Sequence, residues 1–105
     1  MNIEKARVWS EALRSGKYHQ ARNAIRNSKG DLCCLGVAYK CFISGADPLE
    51  NPKPYSDLRK IMDLSEEEQD VFVELNDDRM KSFAEIADHI DRLIAQQATS
   101  GAVIK

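Results

Sequence analysis

The sequence predicts a mainly α fold. It reads as one domain over residues 1–97, with four or five helices and a short β-hairpin near residues 22–34 as an open alternative. Apolar residues recur at three- and four-residue spacing in the first and last segments. Two Ser-x-x-Glu boxes, Ser65–Glu68 and Ser82–Glu85, mark helix starts. The 105 residues are 43% hydrophobic with five Gly and three Pro, which supplies one core and excludes a low-complexity chain.

In the first segment, Ile3, Ala6, Trp9, Ala12 and Leu13 form one apolar stripe. Asn2 is placed to cap it and Gly16 to stop it. Trp9 is expected to anchor the core. Residues 17–30 are ambiguous: Ala21, Ala24 and Ile25 make a thin helical stripe, while residues 22–27 against 31–34 fit a hairpin closed by Asn27-Ser28-Lys29-Gly30. Residues 33–43 are apolar almost all round, the pattern of a central buried helix, with Asp31 as its expected cap and Ser44-Gly45 as its end. Gly36 inside it costs about 1 kcal/mol against Ala, which points to close approach by another element.

All three prolines lie in residues 46–54, an expected exposed loop. Tyr55–Met62 reads as a short helix. The Ser65 box opens another, with Val71, Phe72 and Leu75 as its apolar face, and Asn76 or Asp77 is expected to end it. Phe83, Ile86, Ala87, Ile90, Leu93 and Ile94 give the last helix the clearest periodicity in the chain. Residues 98–105 lack a pattern and are expected to fray. The predicted core is Trp9, Leu13, Leu35, Val37, Phe42, Phe72, Leu75, Phe83, Ile86 and Ile90.

The net charge of −2 is unevenly spread: residues 1–46 carry a surplus of +5 and residues 47–105 one of −7. Either the halves neutralise each other or two charged faces exist. The acidic candidate face is Glu66, Glu67, Glu68, Asp70, Glu74, Asp77 and Asp78, which would suit a basic groove on a partner protein. The basic candidate face is Arg14, Lys17, Tyr18, Arg22 and Arg26, which would suit a partner or nucleic acid, with Tyr18 stacking on a base. An acidic chain is an unusual dedicated nucleic-acid binder.

No apolar run approaches the roughly 18 residues of a membrane span, and Met1–Arg7 has no apolar block behind its charges. A cytoplasmic protein with reduced thiols is expected. Cys33, Cys34 and Cys41 lack zinc spacing and read as buried packing residues. A calcium loop counted from Asp77 fails at once, because Arg79 and Lys81 fall at ligand positions. No metal and no cofactor are expected. A thiol enzyme would need Cys34 activated by His19, while His89 is expected to face solvent. No phosphate-cradling Gly-rich loop and no hydrolase signature is present, so no catalytic residues are assigned.

The blocks Ala12-Leu13-Arg14-Ser15-Gly16-Lys17-Tyr18-x-Gln20, Cys33-Cys34-Leu35-Gly36-Val37, Leu75-Asn76-Asp77 and Phe83-Ala84-Glu85-Ile86-Ala87-Asp88-x-Ile90 resemble a group of small uncharacterised phage and prophage proteins. The chain departs from that pattern at Ala21-Arg22, where the group has Gly after the Gln, and in its extended Asn-Pro-Lys-Pro loop. The resemblance implies a phage-related origin and no chemistry.

The leading expectation is a non-enzymatic phage accessory protein, cytoplasmic in the host bacterial cell. It would bind and inhibit a host protein or ribonucleoprotein complex, in the manner of an anti-defence (anti-CRISPR-like) inhibitor. The alternatives are a small nucleic-acid- or nucleotide-binding protein using Arg14–Arg26, and a thiol-dependent enzyme.

Overall fold

The computed structural model describes residues 1–45 and 47–104, the last six by backbone alone. Among these residues the fold is mainly helical: α1 (Ile3–Arg14), α2 (Cys34–Phe42), α3 (Pro54–Met62), α4 (Glu66–Val73) running into a π-helical turn (Glu74–Asp78), and α5 (Phe83–Ile104). No helix is long and apolar enough to cross a membrane.

α1 begins where expected, with Asn2 Oδ1 accepting the Lys5 N–H at 2.9 Å. Its stripe of Ala6, Trp9 and Leu13 is buried against Ile86, Ala87, Ile90 and Ile94 of α5. The two helices run antiparallel: Gln97 Nε2 donates to Met1 O, and Ser10 Oγ donates to Asp91 Oδ1. Gly16 takes φ +75° just past the helix end, a conformation that favours glycine.

Residues 16–33 form neither a helix nor a laddered hairpin. Leu32 pairs with Arg26 in one antiparallel bridge, so the hairpin exists as a single rung, and with Gln20 in a parallel one. On its other edge Leu32 exchanges hydrogen bonds with His19 O and the Ala21 N–H, and the ladder stops because the next residue, Cys33, is already the N-cap of α2. Asp31 is not the cap of α2. Its carboxylate accepts from Asn27 Nδ2, and Cys33 caps the helix instead, its Sγ accepting the Gly36 N–H at 3.4 Å.

α2 is the central helix, with Cys34 through Tyr39 buried. A Cβ on Gly36 would lie 2.3 Å from the Ile25 carbonyl oxygen, so the close approach is real and backbone makes it. Trp9 Nε1 donates to Cys34 O at 2.8 Å. Phe72 meets the Trp9 ring edge-on at 4.7 Å.

The Pro-containing loop is only partly exposed. Pro48 is fully buried, and Asn51 Nδ2 donates to both Tyr39 Oη and Asp57 Oδ2. Ala46 lies outside the described residues.

Both Ser-x-x-Glu boxes close, at Ser65/Glu68 and Ser82/Glu85. Between them the expected apolar face is altered. Phe72 is buried, Leu75 is half-buried, and Val71 is 39% exposed. The helix does not end at Asn76 or Asp77: it widens into the π turn, with the Arg79 N–H reaching back to Glu74 O. That turn brings Asn76 inward beneath Phe72. Phe42, expected in the core, is also half-buried. α5 backbone is helical past Ala98, where the sequence has no pattern, to Ile104; Lys105 lies outside the described residues.

Candidate protein-binding surface

The basic candidate residues are largely occupied within the chain. Arg14 forks onto Asp88 and Asp91 of α5, the latter at 2.6 Å, and also donates to Ser10 Oγ. Arg26 pairs with Asp47 at 3.2 Å. Arg22 is not a surface cation: it donates to the backbone oxygens of Asn76, Lys81 and Met80, closing the end of the π turn. Lys17 is exposed, with its ammonium 5.9 Å from the ring centre of half-buried Tyr18. The sequence shows five basic-face residues, and the fold spends its three arginines on internal contacts.

The acidic candidates divide. Asp77 is structural: its Oδ1 accepts the Asn23 N–H at 2.8 Å and Asn76 Nδ2 at 2.7 Å. Glu68 is held in the Ser65 capping box. Glu66 and Glu74 make loose contacts with Arg59 (3.9 Å) and Arg79 (3.8 Å). Glu67, Asp70 and Asp78 are exposed and make no ion pair among the described residues. Glu67, Asp70, Val71, Glu74 and Asp78 follow one another at helical spacing, so they line the outer face of α4 and the π turn, opposite Phe72. This face is a carboxylate stripe around exposed Val71.

Asn76, expected as a helix end, is instead a buried hub. Its Oδ1 accepts from Gln20 Nε2 at 2.9 Å and from the Cys34 N–H at 3.1 Å, and its Nδ2 donates to Ala21 O at 2.8 Å. Gln20 also donates to Lys81 O at 2.8 Å. The sequence blocks around Gln20, Cys33-Cys34 and Leu75-Asn76-Asp77 therefore meet in one buried network.

The thiols are poorly placed for catalysis. Burial pushes the Cys34 thiol well above its ordinary range, and its Sγ donates to Phe72 O at 3.6 Å. Burial pushes Cys33 up to about 11. Cys41, half-buried, is raised for the same reason, partly offset by Lys17. His19 is exposed, Cys34 is fully buried and no hydrogen bond joins their side chains, so the pair that the thiol-enzyme alternative requires is not made. His89 does not simply face solvent; it packs edge-on against Phe72 at 5.6 Å. Burial first, and Arg92 second, hold its pKa below the usual imidazole value.

A cleft of about 480 Å³ between α1 and α5 is lined by Arg7, Glu11, Arg14 and Asp91 over Ala95 and Ala98. Its opposite charges offset one another. No cluster of metal-ligating side chains occurs among the described residues.

Residues 1–50 match the family model of a Domain of unknown function (DUF8296). The match spans α1, the Leu32 loop and α2, and leaves the π turn and α5 outside it. No curated protein and no solved structure matches the chain.

Proposed function

We propose that this is a non-enzymatic accessory protein of phage type that docks on a host bacterial protein and inhibits it, using the outer face of α4 and the π turn. The observation that carries this is the contrast between the two charged halves. Arg14, Arg22 and Arg26 are engaged by groups of the chain itself, Arg14 at the surface, whereas Glu67, Asp70 and Asp78 stand exposed beside Val71 and in no ion pair among the described residues. Such a stripe suits a basic surface with an apolar centre. Complementary charge there raises the association rate and selects the partner. It would repel nucleic acid. The resemblance to small phage proteins makes host machinery, defence complexes included, the partner class.

Tagged capture from a host lysate tests this, with nuclease present and retained proteins read by mass spectrometry. A stoichiometric protein partner is expected with the wild type. It should be lost from the Glu67→Lys/Asp70→Lys/Asp78→Lys variant and kept by Lys17→Glu/Lys29→Glu. Retention of nuclease-sensitive material alone, lost with the Lys17/Lys29 variant, would overturn the reading in favour of nucleic-acid binding.

A further inference from the structure

Two non-glycine residues with left-handed backbone bracket one part of the chain: Asp63 at φ +55° and Met80 at φ +52°. A left-handed conformation is costly for a side chain such as methionine. Residues 64–79 between them contain α4 and the π turn, and bury only Leu64, Phe72 and Asn76. By contrast, α1 buries Ala6, Trp9, Ser10 and Leu13, and α5 buries Phe83, Ile86, Ala87, Ile90 and Ile94.

Apart from Leu64 and Phe72, which packs on Trp9, the segment is tied by Arg59 of α3 at Gln69 and by polar contacts from the loop before α2. On the segment itself Arg22 holds Asn76 O, Gln20 holds Asn76 Oδ1 and the Asn23 N–H holds Asp77, while Arg22 and Gln20 also fix the Met80 end through the oxygens of Met80 and Lys81. Beneath it lie the Cys34 N–H, bonded to Asn76, and the Cys34 thiol, bonded to Phe72 O.

We infer that residues 64–79 form a strap that opens as a unit about Asp63 and Met80, latched shut by Arg22 and Gln20, and that its opening uncovers the Cys34 end of α2. A segment with few apolar anchors and a polar latch opens at lower free energy than the packed helices beside it. The strap carries the carboxylate stripe on its outer face, yet its opening needs no partner and is measured on the isolated chain.

Amide hydrogen exchange on the full chain, read residue by residue by NMR, tests the inference. In the wild type, amides 70–79 should be less protected than amides 9–13 and 86–94. Arg22→Ala should lower protection over 70–79 by about tenfold or more, while 86–94 change by about twofold or less. If Arg22→Ala does not fold, Gln20→Ala leaves Arg22 and Asn76 in place and gives the same comparison. Equal protection of all helices, uniform loss across them, or no change in a folded latch variant would each overturn the strap.

Discussion

Asn76 Oδ1 accepts the N–H of Cys34, the first residue of α2, at 3.1 Å, although the two lie 42 residues apart. The first N–H groups of a helix have no partner within it, so a side chain from elsewhere must serve them when they are buried. Asn76 does this while also satisfying Gln20 and Ala21 O. Asn76→Ala leaves two buried backbone groups without partners. The expected loss is about 2–6 kcal/mol, at roughly 1–3 kcal/mol for each unsatisfied group. Urea denaturation checks it. A change below about 0.5 kcal/mol would show that water replaces the side chain there.

Gly36 makes a prediction of opposite sign to helix propensity. On propensity alone, Gly36→Ala should stabilise α2 by about 1 kcal/mol. The new Cβ would lie 2.3 Å from Ile25 O, which belongs to backbone, and 3.1 Å from Leu32 atoms. Separation of α2 from the Leu32 loop should cost about 1–3 kcal/mol and dominate. The urea midpoint is expected to fall with the slope unchanged.

The sequence makes the α1–α5 pair legible because each helix buries a single stripe, and a single-face pattern is what periodicity detects. Trp9, Leu13, Ile86 and Ile90 are buried where that pattern puts them. Capping boxes are equally legible, since donor and acceptor lie three residues apart. Asn76 is not: a lone polar residue in a helix reads as solvent-facing, and its burial is decided by partners 42 to 56 residues away. Arg22 likewise resembles a phosphate ligand until the carbonyls of the π turn are placed against it. The outer carboxylate stripe is readable as charge, but which of its members are spent on caps and ties is a tertiary fact.

The cysteines give a chemical prediction. Only the thiolate attacks a disulfide reagent, and burial holds Cys33 at about 11 and Cys34 higher than its ordinary range. Cys41 is less buried and lies in the field of Lys17, so it should react first. Native protein treated with an aromatic disulfide reagent at neutral pH should show one fast thiol, absent in Cys41→Ser. Two further thiols should appear on unfolding. Three fast thiols in the native state would contradict the packing of α2.

The pH dependence of stability should fall into two windows with separate owners. His89 against Phe72 has its pKa lowered by burial and then by Arg92, so the folded state holds its proton less tightly than the unfolded chain. Its contribution is complete above the unfolded value of about 6.5 and declines as pH falls through and below it. At Asp91, burial alone would raise the pKa, but bonds donated by Ser10 and Arg14 outweigh it and the net shift is downward. Its contribution is complete above the unfolded value of about 3.9 and is lost as pH falls through the lower folded value. Urea midpoints between about pH 3 and 8 separate the two. His89→Gln should flatten the profile between about pH 7 and 5 and leave the acid limb intact, whereas Asp91→Asn should only reduce the limb below about pH 4, to which Glu85, also lowered by its bonds with Ser82, contributes. If His89→Gln left the upper window unchanged, the imidazole would titrate alike in both states, and its seat against Phe72 would be too wet to matter.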